Sequence, residues 1–299
     1  MIVPRAVIRP QLLVRSIITG IAGLLLAGCA TALPAQMRGE SAPVSYELRL
    51  GEDPTYADLV TFALEADIVA IVTVEDQRTF PPERAPDVPV SRARLYIESL
   101  TRNLLAANGG IGGTLVFVTD IDREADGGVP DIEERDYIIF ADQVPGRPGE
   151  VQLVSTRAFF PSGPIIEARL RRVLRQLAAA DATPAITGVR DVISIAGNLA
   201  GESETQMFVE TANGAPVSLS VIRRPGQAPQ WGVSLGEIVD STARPPEAES
   251  LAWFRFACSL PRELPAGAFL QNDRESQSRA RADYAFVLQQ LGPCTRRFT

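Results

Sequence analysis

Met207-Phe208-Val209-Glu210-Thr211 and Val217-Ser218-Leu219-Ser220-Val221-Ile222, on either side of Asn213-Gly214, decide the fold class. Both runs favour strand, and Asn-Gly supplies the positive φ angles that a tight reversal needs, so an antiparallel hairpin is predicted. Outward from it, Val192-Ile193-Ser194-Ile195 leads through Gly197 and Gly201 into the hairpin. Arg224-Pro225-Gly226 then turns the chain into a further strand over 231–239. A meander of about four antiparallel strands results. Residues 250–260, with Trp253, Phe254 and Phe256, read either as another strand or as a buried helical turn. Tyr284, Val287, Leu288 and Leu291 form the stripe of a last helix, which Gly292-Pro293 stops.

The preceding half is also strand-rich. Asp53-Pro54-Thr55 opens a helix, with a cap residue, proline in the first turn and Asp58 favourable to the helix dipole. Tyr56, Leu59, Val60 and Ala63 make its apolar stripe, and Ile68-Val69-Ala70-Ile71-Val72-Thr73-Val74 reads as a strand buried on both faces. After a proline-rich loop, residues 90–105 fit either period, and a strand is expected over their first half. Gly109-Gly110-Ile111-Gly112-Gly113 is a turn; it lacks the third glycine of a dinucleotide fingerprint and precedes a strand. Strands are expected at 114–119, 137–141 and 151–155. A helix begins at Pro161-Ser162-Gly163-Pro164, with Ile166, Leu170, Val173, Leu174 and Leu177 inward and its arginines mostly outward. Asp181-Ala182-Thr183-Pro184 ends it.

The expected class is therefore α+β and β-rich: a small barrel, then an antiparallel meander with flanking helices. The order of strands in the first half resembles a five-stranded OB-like barrel of the netrin or tissue-inhibitor type. That resemblance implies partner binding through loops and strand faces, and mostly no catalysis. The expected organisation is 1–28 signal peptide, 29–44 tether, 45–182 OB-like domain with its terminal helix, and 183–299 meander module.

The signal reading rests on residues 1–29. Arg5, Arg9 and Arg15 precede an apolar run at 17–27 that spans roughly 16 Å, too short for a stable transmembrane helix. The run ends in Leu26-Ala27-Gly28-Cys29, which resembles the lipobox of bacterial lipoprotein precursors. The resemblance implies that the Cys29 thiol is lipidated and that the chain is cut just before it. It also implies a membrane-attached envelope protein. Ala30, where aspartate is linked to inner-membrane retention, implies the periplasmic face of the outer membrane in a cell with two membranes. The mature chain is similar to bacterial envelope proteins, a likeness that implies a location and no activity.

Composition narrows the chemistry. The 299 residues are 45% hydrophobic and 22% charged, enough for one large or two modest domains. There is no histidine, and all 29 basic residues are arginine. Histidine triads, histidine-bound zinc, Schiff-base lysines and P-loop lysines are thereby excluded. Cutting before Cys29 removes three arginines and no acid, which takes the net charge from −7 to −10. Such a surface disfavours nucleic acid. Two mature cysteines, Cys258 and Cys294, remain in an oxidising compartment, and a disulfide between them is expected.

Three constellations carry candidate chemistry. Asp122, Glu124, Asp126 and Glu133 surround Gly127 with a spacing that partly fits a calcium loop, and calcium is the one cofactor the sequence suggests. The competing reading is a solvated acidic hairpin between two strands. Glu202 and Glu204 flank Ser203 and could form an acid–base pair only if a cleft held them apart at a set distance. Arg223 and Arg224 near Trp231 could clamp an anionic or carbohydrate group, the alternative being strand-edge cover and core. The preferred reading is a non-catalytic binding or scaffolding module with envelope proteins or glycan as partners. A carboxylate-based hydrolase of envelope glycans and a protein inhibitor are the alternatives.

Overall fold

The computed structural model describes residues 53–236 and 243–299. The chain runs α1 (Tyr56–Glu65), β1 (Ile68–Thr79), β2 (Arg92–Ala107), β3 (Thr114–Asp122), β4 (Asp136–Gln143), β5 (Val151–Leu153), β6 (Phe159–Pro161) and α2 (Pro164–Ala178). It continues through β7 (Ile186–Ala196), β8 (Ser203–Thr211), β9 (Val217–Arg223), β10 (Gln230–Ser234), α3 (Leu251–Ser259) and α4 (Arg274–Leu291). The fold is a β-rich α+β arrangement with two antiparallel sheets.

The first sheet has the order β3-β2-β1-β4-β5, with β6 beside β4. Its ends approach one another: Val116 and Glu150 form one parallel bridge, and Asp120 N donates to Thr156 O at 3.0 Å. The expected small barrel is not closed, because β5 is only three residues long and no continuous ladder joins it to β3. Residues 90–105, ambiguous in sequence, lie almost wholly in one sixteen-residue strand, β2. Register shifts against β1 insert Leu105 and Arg102 on β2 and Glu75 on β1. Each extra residue resets the period-two alternation. Ahead of them on β2 the alternation is unbroken, with Ala93, Leu95 and Ile97 buried and Leu100 exposed; the helical spacing of 93, 97, 100 and 104 comes from exposed Leu100 and Leu104 added to that stripe.

Two points left open in the sequence are decided. Within Asp53-Pro54-Thr55 it is Thr55 that caps α1: its Oγ1 accepts from Asp58 N at 3.1 Å while Asp58 Oδ2 accepts from Thr55 N at 2.9 Å. This reciprocal pairing satisfies two amides that a helix start leaves open. Residues 250–260 hold a helix, α3, capped by Ser250 Oγ accepting from Trp253 N. β6, which brings Phe159 and Phe160 into the core, had no counterpart in the sequence reading.

The second sheet, β10-β9-β8-β7, is the expected meander, with Gly214 at φ 74° in its central turn. Of the strand expected at 231–239, residues 231–234 are in β10, and 237–239 lie outside the described residues. α3 stands between the two cores: Leu251 and Phe254 pack with the first sheet, and Phe256 with the second. Cys258 and Cys294 are joined, with Cα atoms 5.1 Å apart, so the segment after α4 is tied to α3.

Gly232 marks a close approach. A Cβ there would lie 2.2 Å from the Ala243 carbonyl carbon, where residues 243–244 cross β10 and Arg244 bridges Val233. Gly232→Ala is expected to cost about 1–3 kcal/mol in thermal denaturation, since backbone has to move. Gly236→Ala, with nothing within 4 Å of its Cβ, should stay within about 0.5 kcal/mol of wild type. Equal melting of the two variants would contradict the close crossing.

Candidate functional site

The richest polar constellation lies where the second sheet meets α4. Alternation along β7, β8 and β9 turns Ser194, Thr205 and Arg223 toward the helix, among apolar neighbours such as Met207 and Val221. Asp283 on α4 meets them and is fully buried. Its Oδ2 accepts from the Thr205 hydroxyl at 2.5 Å, and its Oδ1 accepts from Arg223 Nε at 2.5 Å. The Thr205 hydroxyl also lies 2.8 Å from Ser194 Oγ. A buried carboxylate is costly unless each oxygen is hydrogen-bonded, and here both are.

Arg223 carries this network to the surface. It lines two cavities, of about 430 and 480 Å³, which share residues 196–198, 202 and 203. The wall is the β7–β8 connection. Gly201 takes a positive φ of 83° there, and a Cβ on Gly197 would strike the Glu202 side chain at 2.4 Å. Glu202 Oε2 accepts from Asn198 N at 3.1 Å and Leu199 N at 3.3 Å, which holds the turn. Arg279 forms the far side; it donates to Glu275 at 3.0 Å and to Ser276 at 2.9 Å.

The sequence candidates fare unevenly. Arg223 and Arg224 line the same cavity, but Trp231 does not join them. Trp231 faces Val221 across the β9–β10 pair and sits buried in the core, so it serves packing. Glu202 and Glu204 both line the groove yet do not converge as a pair: Glu202 holds the turn, and Glu204 Oε1 accepts from Gln206 Nε2.

The acidic stretch after β3 is not a hairpin. β3 pairs with β2 and β4 with β1, so residues 123–135 cross between strands that are not partners. Its acids are engaged separately. Asp122 pairs with Arg92 at 2.9 Å, Asp126 Oδ1 accepts from Gly128 N at 2.8 Å, and Glu133 lies 3.4 Å from Gln77 N. Glu124 lies beside Gly128, within 3.5 Å of where its Cβ would stand. Among the described residues no group of three or more His, Cys, Asp and Glu side chains is placed to hold a metal ion. Cys29 lies outside the described residues.

A second buried carboxylate escaped the sequence reading. Asp58, fully buried, accepts from Arg297 N, Phe298 N and the Thr299 hydroxyl as well as from its own cap. The cap pattern Thr-x-x-Asp was visible locally; donors some 240 residues away were not. Burial also pushes the Tyr56 hydroxyl up to about 12, where it donates to Gln176 Oε1 at 2.7 Å. The Tyr284 hydroxyl is likewise raised by burial. Both phenols are therefore held in their protonated, uncharged form. No protein-family model matches the chain, and no curated protein matches it.

Proposed function

We propose that this chain is a lipid-anchored cell-envelope protein that acts by binding or scaffolding. The observation that carries the reading is Leu26-Ala27-Gly28-Cys29, placed directly after a basic start and a short apolar run. Cys29 supplies the thiol for the diacylglycerol, and at about 0.8 kcal/mol per buried CH₂ two or more acyl chains hold a protein to a membrane surface. Among the described residues no helix is long and apolar enough to cross a membrane, so the lipid is the anchor this reading requires.

Other features support the binding class. The Cys258–Cys294 bond suits an oxidising compartment. The rolled, partly open first sheet is compatible with the OB-like resemblance and its loop-mediated recognition. General acid–base work near neutral pH favours histidine or a tuned lysine, and the chain has neither. In a cell with two membranes, Ala30 directs the reading to the periplasmic face of the outer one.

The test is fractionation of the expressed full chain with mass analysis of its N-terminus. Wild type should pellet with membranes and carry an acyl mass on Cys29. Cys29→Ala should abolish the acyl mass and cleavage at that position. Soluble, unacylated wild-type protein would refute the reading.

A further inference from the structure

We propose that the groove around Arg223 is a binding site for an anionic sugar, one carrying a carboxylate or a phosphate beside free hydroxyls. The inference rests on reading the chain as a binding module and gives that module a ligand class.

The first argument is the way Arg223 is held. Of the three Arg223 nitrogens only Nε donates to Asp283, and the Phe286 ring lies 5.9 Å from the guanidinium carbon. Nη1 and Nη2 take no partner among the described residues, while the residue lines both cavities. A guanidinium fixed at Nε keeps its paired Nη edge for a planar, bidentate acceptor, which a carboxylate or phosphate provides. The arginines elsewhere on cavity walls are used up differently. Beneath the proline-rich loop, Arg94 is taken by both Asp87 and Asp120, and Arg92 by Asp122. Beside the Asn213-Gly214 turn, Arg190 is also bonded through Nε, to Asp191, but that pair is exposed and does not fix the guanidinium as the buried Asp283 fixes Arg223.

The second argument is the balance of charge along the groove. Arg224, exposed and without a partner among the described residues, stands next to Arg223. The facing carboxylates are already supplied with donors: Glu202 by two amides, Glu204 by Gln206, Glu275 by Arg279 and Asp283 by Thr205 and Arg223. An anion placed between Arg223 and Arg224 therefore meets the open Nη edge of a guanidinium whose charge Asp283 already balances, and beside it the unpaired charge of Arg224. Glu202 and Glu204 retain lone pairs at the rim, which accept from ligand hydroxyls. Exposed Ile195 and Leu199 border the same walls and give an apolar surface for a ring face. Two anion-binding cations, rim acceptors and a small apolar shelf together describe a sugar acid or sugar phosphate better than a bare ion.

The test is calorimetric titration of the full chain in detergent micelles with glucuronate, glucose 6-phosphate, glucose and inorganic phosphate. Glucuronate and glucose 6-phosphate should bind with dissociation constants of about 0.1–5 mM, at least about tenfold tighter than glucose or phosphate. Arg223→Lys keeps a cation beside Asp283 but loses the planar fork, and should weaken both ligands about tenfold or more. Arg224→Gln, remote from the buried pair and safe for folding, should weaken them about threefold to tenfold. The proposal is overturned by silent sugars, by glucose binding as well as glucuronate, by phosphate alone matching glucose 6-phosphate, or by binding that ignores Arg224→Gln. Any of these results leaves the fractionation test for the anchored reading untouched, so the two can fail separately.

Discussion

Asp58→Ala is expected to remove about 3–4 kcal/mol of folding stability, a large effect for one side chain on a helix start. The Asp58 carboxylate is fully buried and accepts from Thr55 N at 2.9 Å, Thr55 Oγ1 at 2.8 Å, Phe298 N at 3.0 Å and Thr299 Oγ1 at 3.2 Å. Arg297 N donates to both oxygens, at 3.0 and 3.1 Å. Removing the acceptor leaves several buried or half-buried donors unpaired, and each unmade hydrogen bond costs about 1–3 kcal/mol before relaxation. Asp58→Asn should be no milder, because its amide N–H₂ would face donors that need an acceptor.

The same carboxylate gives stability a pH dependence. Burial acts to raise its pKa, but hydrogen bonds from Phe298, Thr55 and Arg297 outweigh that, so the group is held below the usual carboxylate value. A folded-state pKa below the unfolded one means that the unfolded chain binds the proton more readily. The stabilisation is therefore fully present above the unfolded value of about 4 and is lost as pH falls through the folded one. Chemical denaturation between pH 7 and pH 3 should show wild type losing stability at the acid end. The gap between wild type and Asp58→Ala should narrow over the same range. A gap that stays constant to pH 3 would count against the carboxylate as the cause.

Legibility followed the range of the interactions. The Asn213-Gly214 hairpin was readable because its turn chemistry and both strands lie within sixteen residues. The α2 stripe was readable because Leu170 and Val173 are buried on a single helix face. β2 was readable over its first half, where Ala93, Leu95 and Ile97 alternate, but not beyond it, because two extra residues set by pairing with β1 interrupt the alternation there. Arg223 was visible as a candidate, whereas Asp283, the residue that positions it, lies 60 residues further along the chain. Trp231 misled for another reason: it lies on the same sheet face as Arg223, but opposite Val221, where that face is covered by the core rather than open to the groove.

Loss of the Cys258–Cys294 bond should cost about 2–4 kcal/mol, the range expected for closing a loop of this length. The pair is separated by 36 residues and ties α3 to the segment that follows α4. That segment is the one that reaches Asp58. Phe298 packs edge-on against Phe160 at 5.1 Å, and Arg157 covers its ring at 4.6 Å. The Thr295 carbonyl lies 2.8 Å from the Thr55 hydroxyl. Disulfide and carboxylate are thus two clamps on one short strap across the start of α1. With either clamp lost, the other and the aromatic contacts still hold the strap down. With both lost, the strap detaches on its own, and the cost is capped at that local opening. The double variant Asp58→Ala with Cys258→Ser and Cys294→Ser should therefore be less destabilised than the sum of its parts, by about 1 kcal/mol. Amide hydrogen exchange at Arg297 and Phe298 reads the same event, with protection reduced in each single variant and abolished in the combination. Additivity within about 0.3 kcal/mol, with those amides still protected, would mean that the clamps act independently.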